Sequence, residues 1–302
     1  PTIGSGGTLN LLGGQIYLVY VYRDANFIAN GGVLGNLYCY VGGKSQFNNL
    51  IFTGVFGFNY SRANIGGGNI SLTNCYINMR NSYQFIYCFE IYQNATAYFK
   101  NCVIDNCTVA SKDGETNSIF RQAYDVSTLV FDGCEIINNN YMVFYGANKN
   151  ASLTLKDCEM YNNTYAKFSN FAQFGSFNMI NCNYHNNIAI IDFTKCSTVN
   201  ISGSEFRNNP SGRIEALLLI QDCSATITDS IFDGNISHEG GAILIRGAKV
   251  AINDCEFINN TARYSSDYHN VTAFGGAINF NYGGTFTLGG RVTIRGNKTV
   301  LT

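Results

Sequence analysis

One unit recurs along this chain and restricts its fold more than any other feature. It has two alternating apolar residues, a polar break, a small anchor residue, an apolar residue two positions on and a polar one five positions on. The clearest copies are residues 153–163 (Leu-Thr-Leu-Lys-Asp-Cys-Glu-Met-Tyr-Asn-Asn) and residues 250–260 (Val-Ala-Ile-Asn-Asp-Cys-Glu-Phe-Ile-Asn-Asn). The anchors are Cys75, Cys102, Cys134, Cys158, Cys182, Ser204, Ser230 and Cys255. Two positions on stand Ile77, Ile104, Ile136, Met160, Tyr184, Phe206, Phe232 and Phe257; five positions on stand Arg80, Cys107, Asn139, Asn163, Asn187, Asn209, Asn235 and Asn260. Successive anchors lie 22 to 32 residues apart. A leucine-rich repeat keeps a tighter, Leu-based template, and a propeller blade needs about 40 residues. The spacing suits one coil of a parallel β-helix, whose loops vary without disturbing the stack. No segment carries the i, i+3, i+4, i+7 pattern of a helix.

The expected fold is therefore all-β, a right-handed parallel β-helix of about eleven coils in one domain over 1–302. Residues 1–46 read as irregular N-terminal coils and 47–302 as regular repeats. Leu9/Leu11 and Leu50/Phe52 begin the early coils, and Phe286, Leu288, Val292, Ile294 and Asn297 form a last one. In register, parallel strands put like residues above one another, so alternating positions make continuous apolar stacks. Cys and Ser share a column because both fit a narrow corner. The Asn column suits a turn, since Asn tolerates left-handed φ, and stacked Asn amides can bond along the rod. Parallel crossovers are right-handed almost without exception.

Gly-Gly-Ala-Ile occurs at 240–243 and 275–278, and Phe-x-x-Asn at Phe206–Asn209, Phe232–Asn235 and Phe257–Asn260. This pairing resembles the repeats of chlamydial polymorphic outer-membrane proteins, clearly over about 200–280 and in degenerate form back to about 75. The resemblance implies a surface adhesin with a β-helical passenger. Those proteins also carry a C-terminal membrane barrel, which this sequence does not show. Related repeats occur in secreted eukaryotic proteins.

N-glycosylation sequons point the same way. Asn59, Asn69, Asn94, Asn106, Asn150, Asn162, Asn200, Asn235, Asn259, Asn270 and Asn297 each precede x-Ser/Thr, roughly twice the number chance would place. Asn94 and Asn150 stand eight before their anchors; Asn106, Asn162 and Asn259 stand four after theirs. A sequon at a fixed coil position predicts a column of N-linked glycans, which would supply solubility to a chain with only 13% charged residues. Asn235 falls in the Asn column and reads equally as a member of an amide ladder.

Eleven Cys indicate an oxidising compartment if paired. Neighbouring rungs bring anchor Cα atoms within disulfide range, but their Cβ vectors run parallel, so thiol stacking is expected there. Cys196 and Cys223 form a second column and are the candidates for a disulfide. No Cys-x-x-Cys occurs, which argues against a zinc site, and no metal or other cofactor is expected.

A net charge of −1 leaves no basic field for nucleic acid. No apolar run reaches membrane-spanning length, so no membrane insertion is expected. Other parallel β-helices are polysaccharide lyases or hydrolases, which use paired carboxylates or calcium with a base. Asp157 with Glu159, Asp254 with Glu256, and the Glu135/Glu159 column are the nearest candidates. They belong to the repeat itself and read as a solvated face, so no catalytic residue is assigned. His185, His238 and His269 share no ligand spacing.

The chain begins at Pro1 without a signal segment, as a processed start or a piece of a longer protein would. Both ends are strand-like, at residues 8–12, 15–19, 291–295 and 299–301, and neither shows a cap. The expectation is a non-enzymatic, secreted or cell-surface structural glycoprotein. Its copies would stack head to tail into a filament or coat, with residues 1–22 meeting 280–302 of the next copy. An adhesin-like, ligand-binding passenger is the alternative, and a carbohydrate-active enzyme the second alternative.

Overall fold

The computed structural model describes the chain except residues 54–61, 80–86, 110–116, 123–124, 166, 211–215, 265–274 and 302. Asn59, Arg80, His269 and Asn270 lie outside the described residues. The described chain is a parallel β-helix without helices. Its main sheet has 12 strands, from Thr8–Leu11 to Thr285–Gly289, each paired in parallel with the next coil. Twelve rungs at about 4.8 Å make a stack of roughly 55 Å.

Each coil is built from the same parts. A main-sheet strand such as Ser152–Lys156 ends at a corner. A three-residue strand such as Glu159–Tyr161 follows, then a second corner, a loop of variable length, and a third-face strand such as Lys167–Ala172. The first two coils lack the variable loop. Thr8 pairs with Asn26 and Asn26 with Lys44, a tight 18-residue coil. In the second of these, Val33–Cys39 pairs with both Ile51–Thr53 and Arg62–Gly66, so one strand does the work that later coils divide between two. The Asn26–Asn30 coil carries no Cys or Ser anchor, which accounts for twelve rungs where the repeat alone suggested about eleven. Leu50 and Phe52 prove to hold the anchor and core positions after a corner rather than to open a main-sheet strand.

The corners follow one rule: a residue with left-handed φ turns the chain, and the next side chain points inward. Before the anchors, Asn74, Asn101, Asp157, Asn181, Asp229 and Asp254 have φ near 50°. Asn and Asp reach this region at least cost among residues with a Cβ. The anchor then donates to the carbonyl two residues back: Cys158 Sγ to Lys156 O at 3.2 Å, Ser204 Oγ to Ser202 O at 3.0 Å, Ser230 Oγ to Thr228 O at 2.7 Å. A short side chain with one donor is what this corner accepts, so thiol and hydroxyl interchange there.

At the second corner the left-handed residue is one position earlier than the sequence reading placed it. Asn106, Asn138, Asn162, Asn186, Asn208 and Asn259 carry the positive φ, four after the anchor. The Asn five after the anchor is buried and does different work. From Asn139 through Asn163, Asn187, Asn209, Asn235 and Asn260 to Asn297, each backbone N–H and each Nδ2 donates to the Oδ1 of the next Asn. Each Nδ2 from Asn139 to Asn260 also donates to the preceding coil, for example Asn187 to Met160 O at 2.9 Å. The ladder satisfies backbone groups that a corner would otherwise leave buried and unpaired.

The core is a stack of rings and branched side chains. Phe206, Phe232 and Phe257 lie parallel, with centroids 4.7 and 4.8 Å apart. The whole column from Ile77 to Phe257 is fully buried. Phe-x-x-Asn thus places Phe in the core and Asn in the ladder. Gly-Gly-Ala-Ile crosses the stack where backbones touch: Gly241 N–H donates to Gly275 O, and a Cβ on Gly241 would collide with Gly276 O. Only glycine permits that approach.

Val19, expected at an open N-terminal edge, is fully buried between Thr2–Ile3 and Val33–Cys39. The strand that contains it is internal because the chain's first residues add a rung outside it.

Candidate functional site

The described sequons separate into an outer and an inner set. Asn106, Asn162 and Asn259 occupy the left-handed position of the second corner and are exposed. Asn94 and Asn150 are exposed at the corner preceding the main sheet. Asn69 and Asn200 are exposed on main-sheet strands, and Asn200 Nδ2 donates to Asn178 Oδ1 at 3.0 Å. The inner set is a correction. Asn235 is fully buried, its Nδ2 donating to Phe206 O and Asn260 Oδ1, both at 2.9 Å. Asn297 Nδ2 likewise donates to Phe257 O at 2.8 Å and to Arg295 O at 3.1 Å. A glycan on either nitrogen would break the ladder, so neither is an acceptor in the folded chain.

All eleven cysteines are buried free thiols. Cys196 and Cys223 are not a disulfide. They do stack, but the Cys196 N–H donates to Cys223 Sγ at 3.0 Å, and Cys223 Sγ points to Phe193 O and Gln221 O. Side chains in register leave their corners in the same direction, which suits a hydrogen-bonded ladder rather than a covalent bridge. Burial pushes the Cys39 thiol up to about 11 and the Cys88 thiol well above its ordinary value, so both stay protonated.

Of the repeat-borne acids, Glu135, Asp157, Glu159 and Asp254 are exposed and Glu256 is half-buried. Glu135 and Glu159 are partners on adjacent rungs, and Glu159 takes His185 Nε2 at 3.1 Å. Asp157 pairs with Lys156 at 3.4 Å, and Asp254 accepts from the Arg291 N–H at 2.8 Å. Asp157 and Asp254 sit at left-handed corners.

A second charged column, which no sequence pattern flagged, runs up the outer side of the third face. Register aligns Glu90, Arg121, Tyr145, Asn170 and Asp192 on successive rungs. Arg121 and Glu90 are 3.7 Å apart and both nearly buried; Arg121 also lies over the Tyr87 and Tyr145 rings at about 6 Å. Lys167 Nζ is 2.7 Å from Asp192 Oδ2, and Thr194 Oγ1 donates to Asp192 Oδ1 at 2.8 Å. The column continues into Leu219 and Leu244, which pack with Ala216 outside the main core. These acids stand where an acid–base pair would be sought. Four rungs part Glu90 from Asp192, about 19 Å, whereas a glycosidase pair stands at about 5–10 Å. Each acid is already matched to a base, so the column joins coils and offers no opposed carboxylates. Among the described residues, no group of three or more His, Cys, Asp or Glu could hold a metal ion.

No protein-family model matches the chain, and no curated protein is significantly similar to it. What the fold defines is a β-solenoid.

Proposed function

We propose that this chain is a non-enzymatic structural glycoprotein of the extracellular space or cell surface, a stiff β-helical rod bearing N-linked glycans along its corners. The observation that carries the reading is the split of the sequons. Asn94, Asn106, Asn150, Asn162 and Asn259 recur at two corner positions and point to solvent, while the adjoining ladder consumes every inner Asn amide. Glycans at the corners would cover a surface with few charges and leave the hydrogen-bonded interior untouched. Glycopeptide mass spectrometry of native material tests this. The five corner sites should carry sugar, with Asn235 and Asn297 bare; five unmodified corner sites would refute the secretory reading.

End-to-end association of copies belongs to the same proposal. The rung containing Phe280, Leu288 and Ile294 exposes the side chains that in earlier rungs are covered by a further coil. A further coil of the same protein or a second copy would cover them, and a second copy would extend the stack without closing it. Light scattering of the purified chain reads this directly. Concentration-dependent growth that Leu288→Lys with Ile294→Lys abolishes supports it, and a monomer at all concentrations refutes it.

A further inference from the structure

A cleft of about 410 Å³ opens at the third corner, lined by Gln221, Asp222, Arg246, Gly247 and Tyr282. Gln221, Arg246 and Asn281 are register partners on three successive rungs, and each is followed by a residue with positive φ: Asp222, Gly247 and Tyr282, at 52°, 59° and 60°. Glycine at the middle rung lets the Asp222 carboxylate lie close against the backbone, because a Cβ there would stand 2.7 Å from Asp222 Oδ1. Tyr282 holds its left-handed backbone while 82% exposed, so its ring is presented to solvent beside the cleft rather than spent on packing.

The polar groups around it are incompletely used. Arg246 Nη2 bonds Glu239 Oε2 at 2.6 Å, yet Arg246 Nε is buried without an acceptor and Asn281 Oδ1 is buried without a donor among the described residues. Both atoms are closed to solvent, so what the cleft offers a ligand is the open polar groups of its lining, and a hydroxyl, which both accepts and donates, suits them. Asp222 and Gln221 add an acceptor-only carboxylate and an amide that can do both. An exposed aromatic ring offers an apolar face to the C–H face of a pyranose, while planar side chains take its hydroxyls. The Arg246 charge is taken up by Glu239, so Asp222 leaves the cleft acidic in balance and disfavours an anionic sugar.

We propose that the cleft formed by Gln221, Asp222, Arg246 and Tyr282 binds a neutral pyranose unit of a glycan. This goes beyond the chain carrying glycans of its own: it makes the rod a reader of sugar as well as a bearer of it. Saturation-transfer NMR and calorimetry of the intact chain with maltotriose, cellotriose and mannotriose test it. At least one should bind, with transfer strongest to one pyranose ring. Tyr282→Ala should weaken binding by about tenfold, the order expected for one lost aromatic contact, and Tyr282→Phe should retain it. Both variants should melt as the parent does, since the ring is exposed. Gly247→Asn, which keeps a residue tolerant of positive φ but fills the floor, should abolish binding. Absence of binding by all three sugars, unchanged affinity in Tyr282→Ala, or equal affinity for a glucuronate-bearing trisaccharide would each overturn the proposal. None of these outcomes depends on whether the corner asparagines are glycosylated.

Discussion

Asn187 Oδ1 accepts two hydrogen bonds from Asn163, one from the backbone N–H and one from Nδ2, both at 2.9 Å. The neighbouring Asn186 has the same side chain and takes no part in the ladder: it holds φ at 55° and its Nδ2 faces His185 Nδ1. Asn187→Ala leaves the Asn163 backbone N–H buried without its acceptor and removes the bond to Met160 O, while Asn163 Nδ2 keeps Ile136 O and Tyr161 O, and should cost about 2–4 kcal/mol at about 1–3 per orphaned group. Asn186→Ala should cost about 1–2 kcal/mol, the penalty of left-handed φ with a plain Cβ. Equal losses in urea unfolding of the two variants would show that the ladder contributes nothing beyond the turn.

Phe232 lies between two parallel rings, and Glu159 points to solvent from the equivalent strand of another coil. Phe232→Ala should destabilise by about 3–5 kcal/mol through lost burial and a residual cavity. Glu159→Ala should cost under about 1 kcal/mol, since its contact with His185 is an exposed pair. Thermal melts of the two variants give the comparison directly.

The thiols should be silent in the native state. With all eleven buried and free, a thiol reagent should react with none in buffer and with eleven in denaturant under nonreducing conditions. Fewer than eleven after denaturation would reveal disulfides. At the anchor corner, Cys158→Ser should cost about 1 kcal/mol or less, because the hydroxyl keeps the bond to Lys156 O. Cys158→Val, which removes the donor and adds a branch, should cost about 2–3 kcal/mol.

The Glu90–Arg121 pair joins two coils on the third face. Arg121→Met leaves the Glu90 carboxylate nearly buried without its cation and should cost about 3–5 kcal/mol. Glu90→Gln in the same chain should recover much of that loss. A double variant no better than the single one would place the Arg121 contribution in its contacts with the Tyr87 and Tyr145 rings.

The anchor, core and Asn columns were legible because they repeat. Phe206, Phe232 and Phe257 recur in sequence at the spacing at which they later stack. The first coils were harder to count, since Gly32 and Leu50 stand where later coils have Cys or Ser and the loop is missing altogether. The charged column from Glu90 to Asp192 left no trace in the pattern. Its members differ in type from rung to rung, and loops of unequal length separate them in sequence. The sugar cleft hides for the same reason: Gln221, Arg246 and Asn281 share nothing until register aligns them.

By itself, the sequence determined the solenoid class, the inward columns and the corner chemistry. Periodic burial and periodic left-handed turns are local demands that every coil states again. Tertiary structure decided which of two adjacent asparagines turns the chain and which enters the ladder. It also decided that Asn235 is an interior amide and Asn297 the half-buried end of the same ladder, and that Cys196 and Cys223 share a hydrogen bond rather than a covalent one. Each of those outcomes depends on the direction a side chain takes from a stacked corner. That direction is set by the rungs above and below, and no single repeat contains it.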